Sequence, residues 1–201
     1  MAKRADQVDE TRQRIVEATV RLHERIGLRA TTVTAVAEEA GVTRLTVYRH
    51  FPSENELVGA CSAHWLSLQE PPDPAAWGAV DAADARLRAG LADLYRFYRA
   101  GSSMLTNVYA DIDVLPEPVR QNIENRDTTF IEVLSEPLGP AGRQALVRAA
   151  VGHAVSFSTW RSLCLERGLA NEEAVEVMTT LVLAVSSAPA AGEAGRQRRR
   201  R

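Results

Sequence analysis

Between Glu39 and Glu54 the chain carries no carboxylate, although its net charge is −2. Thr43, Arg44, Leu45, Thr46, Tyr48, Arg49 and His50 crowd into that acid-free window. Read as one short helix, these residue types supply what duplex DNA requires. Arg44 and Arg49 can reach phosphates or take a guanine edge through two hydrogen bonds. Thr32, Thr43 and Thr46 offer short hydroxyls to phosphates or bases. Leu45, apolar and outward, suits a thymine methyl, and Tyr48 and His50 can donate to backbone phosphates. A carboxylate here would repel the polyanion, so its absence has a physical reason. The competing reading is a solvated helix pair inside a helical bundle.

Other constellations carry less. Cys61 and His64 stand three apart on one helix face, but a metal needs two more ligands, and nothing in the sequence brings His153 and Cys164 to them. Asp111 and Asp113 could grip a cation, though acids at a helix end more often face solvent. There is no G-x-S-x-G, phosphate loop or G-x-G-x-x-G. No catalytic residue, metal or cofactor is therefore expected, and the chain reads as something other than an enzyme. An all-α enzyme and a helical protein-interaction module without DNA binding are the alternatives.

The totals set the frame. With 201 residues and 45% apolar content, a substantial core can be buried. The near-neutral charge argues against a general polyanion binder, so any nucleic-acid contact must be local. Two cysteines, Cys61 and Cys164, make no disulfide framework and suit a reducing cytoplasm. The opening MAKRADQVDETRQR has no apolar run, so no signal peptide is expected. No stretch approaches ~18 uncharged apolar residues, so no membrane partner is expected either.

The elements that must position the acid-free window are helices. Residues 1–9 are polar and read as frayed. From Asp9, Ile15, Ala18, Leu22 and Ile26 recur at helical spacing, and Gly27 closes the helix. Thr31 or Thr32 can cap a second helix with Val33, Val36, Ala37 and Ala40 inward. Gly41 permits the turn, and Thr43 caps a third helix to about His50. Pro52 stops it, and Ser53 caps a fourth with Leu57, Val58, Cys61, Trp65 and Leu68 inward. After the break PPDP at 71–74 comes a long helix, with Arg86, Arg88, Arg96 and Arg99 on its outer faces. A short helix around Leu105 follows, then one through Phe130 with Pro116 at its first position, then an apolar helix over 142–167. A last helix is capped by Asn171. No period-2 strand pattern survives. The fold class is all-α with about nine helices: residues 1–52 as a three-helix helix-turn-helix DNA-binding domain, 53–188 as a helical ligand-binding and dimerisation domain, and 189–201 as a disordered basic tail.

The stretch TTVTAVAEEAGVTRLTVYRHFPSENEL resembles the DNA-binding segment of the tetracycline-repressor (TetR) family. The matching residues are Thr32-Val33, Val36-Ala37, Ala40-Gly41-Val42, Val47-Tyr48 and His50-Phe51, followed by Ser53 and Leu57. Its place after one helix and the chain length also fit. The resemblance covers about a quarter of the chain and implies a cytoplasmic homodimeric repressor, bound to a palindromic operator on double-stranded DNA and released by a small-molecule effector. There is one departure. Family members often carry a Lys at the start of the fourth helix that contacts a phosphate, and here Glu54 reverses that charge, which implies a weaker electrostatic contribution.

A two-fold dimer would place two recognition helices about 34–36 Å apart, in successive major grooves. The helices at 142–167 and 171–186 are the candidates for its interface, through Leu146, Val151, Val155, Val175, Met178 and Val182; they could also be simply central. The aromatic-rich middle helices suggest a pocket for an apolar or aromatic effector, lined by Trp65, Leu94, Phe97, Tyr98, Met104, Tyr109, Phe130, Phe157 and Trp160, although aromatics at helical spacing are often plain core. Arg126 and Asp127 lie at the edge of the stripe between Ile123 and Phe130, as an inward polar anchor or a surface pair. The resemblance implies that effector binding between the fourth and seventh helices moves the fourth helix and changes the spacing of the recognition helices.

Overall fold

A computed structural model describes residues 2–188, with the side chains of 2–6 and 141 left aside. The expected tail at 189–201 lies outside the described residues. Every regular element among them is helical: α1 (Ala2–Ile26), α2 (Val33–Ala40), α3 (Arg44–His50), α4 (Glu54–Ser67), α5 (Pro74–Gly78), α6 (Ala83–Ala100), α7 (Ser102–Ala110), α8 (Glu117–Ser135), α9 (Gln144–Val155), α10 (Phe157–Arg161) and α11 (Asn171–Ser187). Single 3-10 turns precede α8 and α9, and a π turn, Ser162–Glu166, follows α10.

The described residues divide into two compact units, residues 2–70 with 100–123, and residues 71–99 with 124–188. In the first, α1 packs against α2, α4 and α7. Its core joins Ile15, Val16, Ala18 and Leu22 of α1 to Val36, Ala37 and Ala40 of α2, Val47 of α3, Phe51 and Leu57. Ile26, expected on that inward face, is 44% exposed because it lies in the last turn, where α1 runs past the core. Helix α1 also begins earlier than the sequence suggested, at Ala2 rather than near Asp9. The local signals hold: Thr32 Oγ1 accepts from Ala35 N at 3.2 Å, Thr43 Oγ1 from Thr46 N at 3.2 Å, and Ser53 Oγ from Glu56 N at 3.3 Å.

In the second unit, two of the expected helices are each two. Asp73 caps α5 through Ala75 N and Ala76 N, so residues 74–78 form their own turn ahead of α6. The apolar run 142–167 breaks at Ser156, whose backbone is extended. The break frees carbonyls that an unbroken helix would use, and buried free carbonyls are costly. Tyrosines of α6 take them: Tyr95 Oη donates to Ala154 O at 2.8 Å and Tyr98 Oη to Val155 O at 2.7 Å. Gly90 lets α8 come close, since a Cβ there would meet Leu134 at 2.6 Å.

Two expectations fail in this unit for one reason, a partner distant in sequence. Arg86 is buried, not on an outer face; its guanidinium donates to Val80 O at 2.8 Å and to the Glu136 carboxylate at 2.7 Å. Asn171 does not cap α11. Ala170 holds that position, its N–H given to the Glu173 carboxylate at 2.8 Å. The Asn171 side chain instead accepts from Trp160 Nε1 at 3.1 Å and Arg99 Nη2 at 3.0 Å, and donates to Tyr95 O at 3.1 Å.

Candidate nucleic-acid interface

Helix α3 buries Val47 and turns the rest of its surface outward. Leu45 is 61% exposed and Tyr48 45%. Thr43, Arg44 and Arg49 are exposed with them, Thr46 and His50 are half-buried, and Thr32 stands exposed at the start of α2. All eight residues proposed from sequence therefore reach solvent, on α3 or at the first end of α2. Two of the threonines have a structural duty as well, since Thr43 and Thr32 are the caps.

The turn between α2 and α3 depends on Gly41, whose φ of +66° favours a residue without Cβ. Its N–H and that of Val42 return to Glu38 O at 3.2 Å and Ala37 O at 2.9 Å. Three arginines of α1 then fix α2. Arg14 Nη2 donates to Ala40 O at 3.2 Å, while Arg21 and Arg25 both grip Glu39, at 2.9 and 3.1 Å. These two guanidiniums hold the Glu39 carboxyl below the usual carboxylate range. The acid that borders the acid-free window is thus paired with cations from α1.

A groove of about 490 Å³ opens beside α3, lined among others by Arg44, Tyr48, Thr32, Thr34 and Glu54. Glu54 shares that groove with three of the proposed DNA-contacting side chains, Thr32, Arg44 and Tyr48. It stands in the first turn of α4, where the helix dipole favours an acid. His23 lines the groove's inner wall, and burial lowers its pKa to about 4. Cys61 Sγ lies 3.9 Å from His23 Nδ1, and burial pushes the thiol up to about 12. Cys61 Sγ also donates to Val16 O at 3.7 Å, so its polar contacts are with α1 and not with His64, which lies 3.4 Å from Gln13 Nε2.

Sequence reasoning missed the support behind α1. Asn107 Nδ2 donates to His23 O at 2.8 Å and Glu24 O at 3.0 Å, taking carbonyls that the end of α1 leaves open. Asp111 accepts from Arg29 N at 3.0 Å and Arg29 Nε at 3.3 Å, and Asp113 from Arg29 Nη2 at 2.7 Å. The cation that the aspartate pair holds is this arginine of the chain itself. The only hint in sequence was the paired acids.

The residues proposed for a pocket fall in both units. Trp65, Met104 and Tyr109 belong to the first; Leu94, Phe97, Tyr98, Phe130, Phe157 and Trp160 to the second. Tyr98, Phe157 and Trp160 pack on one another with centroids 5.3–5.8 Å apart, and Phe97 lies 6.1 Å from Tyr98. Phe130 pairs with Trp77 instead, at 5.0 Å. Arg126 and Asp127 bind each other at 2.7 Å, with Arg126 5.7 Å above the Phe130 ring. Of the residues proposed for a dimer interface, Val151, Val155, Val175, Met178 and Val182 are buried within their own unit, whereas Leu146 is 56% exposed.

Residues 15–61 match the family described as bacterial regulatory proteins, tetR family. The HTH-type transcriptional regulator SrpR of Pseudomonas putida is 39% identical over 74 residues, a match covering 35% of this chain and 35% of that regulator. The chain thus spans about a third of the length of that curated relative. A TetR-like transcriptional regulator from Rhodococcus sp. RHA1 is similar in fold, at 16% identity and a TM-score of 0.64, over 87% of this chain and 94% of the other. AibR, crystallised with isovaleryl coenzyme A and operator DNA, is similar in fold at 17% identity and 0.62, over 85% and 97%.

Proposed function

From the TetR-family DNA-binding domain that the chain carries, we propose that it is a ligand-responsive transcriptional regulator: a cytoplasmic repressor released from a palindromic operator by a small apolar or aromatic effector. One observation carries this reading. Helix α3 is braced from behind by α1 and α2, yet leaves Arg44, Leu45, Tyr48 and Arg49 exposed without a carboxylate among them. We assign DNA reading to residues 1–52 and effector binding and dimerisation to 53–188. AibR, of the same fold, has been crystallised with both an acyl-coenzyme A and operator DNA, which supports a dual role. Among the described residues no helix is long and apolar enough to cross a membrane.

Dimerisation is assigned to α9 and α11. Their exposed side chains include Leu146 at 56%, Leu181 at 54% and Val177 at 39%, apolar surface that a second copy would remove from water. The effector is assigned to the aromatic interior of the second unit, whose packed rings would have to part to admit it. A route for regulation is available in chain order. Residues 100–123 group with the DNA-binding helices and are tied to α1 by Asn107, while both their ends continue into α6 and α8. A shift in either helix is delivered to the support of α1. Such coupling is worth ~1–3 kcal/mol in typical allosteric proteins.

Selection of bound sequences from a random duplex pool tests the reading, with enrichment of a palindrome expected. A pool that remains unenriched under low salt would overturn it.

A further inference from the structure

Arginines of the first unit divide into two groups. Arg21, Arg25, Arg29 and Arg120 are spent on carboxylates. Among the described residues, Arg12, Arg14, Arg44 and Arg49 have no carboxylate partner. Arg14 is used to hold Ala40 O. Arg44 and Arg49 already belong to the recognition helix. Arg12 stands on α1 and has no duty in the core: it is exposed, and its one hydrogen bond is a long one, Nη1 to His50 O at 3.4 Å.

Its position is nevertheless fixed. The guanidinium carbon lies 4.1 Å above the centroid of the Phe51 ring, and Phe51 is only 2% exposed. Stacking on a buried ring sets the guanidinium plane, while most of its N–H donors, which lie in that plane, stay free. The carbonyl it touches belongs to His50, the last residue of α3. A planar, always-charged fork thus stands beside the recognition helix, at the end opposite Thr43 and Arg44. We infer that Arg12 is a phosphate-binding residue, and that the DNA interface extends from α3 onto α1.

The inference rests on the DNA-binding reading and deepens it. Recognition helices read base edges chiefly with their first residues. A cation at the opposite end therefore serves to position the protein on the backbone without reading sequence. Because the stack fixes the side chain beforehand, little rotamer freedom is lost on contact. Glu54 places negative charge in the groove beside the first end of α3, whereas Arg12 stands by the last residue of that helix.

The test uses full-length protein, the palindrome selected by wild-type protein, and a mixed-sequence duplex of equal length, with affinity measured across a salt series. Arg12→Gln is expected to weaken both duplexes by the same factor, on the order of three- to tenfold. It should also flatten the dependence of log K on log salt by about 0.9 for each recognition helix engaged. Arg12→Lys, which keeps the charge but loses the planar stack, should keep the wild-type slope with an affinity between the two. An unchanged affinity and slope in Arg12→Gln would overturn the assignment. So would equal weakening in both variants with the slope unmoved, since that marks a brace for α3 and nothing more. Wild-type protein that binds neither duplex would instead sink the DNA-binding reading, and this inference with it.

Discussion

Arg14, Arg21 and Arg25 hold α2 from the outside, with charged side chains laid across its last turn, whereas Tyr95 and Tyr98 hold the break between α9 and α10 from the inside, with hydroxyls that are fully buried. Arg14 and the two tyrosines supply donors to carbonyls near helix ends, while Arg21 and Arg25 pair with the Glu39 carboxylate; all five side chains hold a helix end in place. They differ because the surfaces differ in purpose. The first unit must keep a short helix rigid while leaving its outer face to solvent, so its braces are long cationic side chains running along the protein surface. The second unit closes on itself, so its braces can be aromatic and add their own buried area. One unit spends charge on geometry and the other spends rings.

Trp160→Ala removes a fully buried ring that packs on Tyr98 and Phe157, and should destabilise the protein by about 3–5 kcal/mol, read from denaturant unfolding followed by circular dichroism. A loss no larger than that of an exposed substitution would mean the aromatic group is loosely filled.

Acid should act on the first unit next. His23 is buried and neutral, with its pKa lowered to about 4 from an ordinary 6.5. The unfolded chain then binds the extra proton between those values, so stability is complete above about pH 6.5 and falls as the pH drops toward 4. The loss should approach ~3 kcal/mol, and a His23→Gln variant should flatten that part of the stability–pH curve. Identical curves for both proteins would remove His23 from the account.

Arg44→Ala should cost ~1–3 kcal/mol of operator affinity with little change in stability, since its side chain has no hydrogen-bond or ion-pair partner among the described residues. Operator affinity equal to wild type would show that α3 reads DNA without it. The smallest effect belongs to Asn107→Ala. It should lower stability by about 1 kcal/mol by opening the carbonyls of His23 and Glu24. No loss at all would show that water serves those carbonyls as well.

Much of the first unit was legible in the sequence because its rules are local. A cap reaches three residues on, as Thr32, Thr43 and Ser53 do, and a left-handed turn needs a glycine where it occurs, at Gly27 and Gly41. The acid-free window and the helical spacing lie within the same short reach, and so the helix-turn-helix and the all-α class could be read directly. Only tertiary structure could decide what depends on partners far along the chain. Ser156 breaks a strongly apolar helix because tyrosines of α6, 57 and 59 residues earlier, are there to receive its carbonyls. Arg86 is buried because Glu136 comes to meet it, 50 residues away. Asn171 joins Trp160, Arg99 and Tyr95 instead of capping its own helix, and Arg12 lies on Phe51. Propensity acts within a turn or two of helix, whereas these side chains are placed by long-range packing, which no spacing within a single helix encodes.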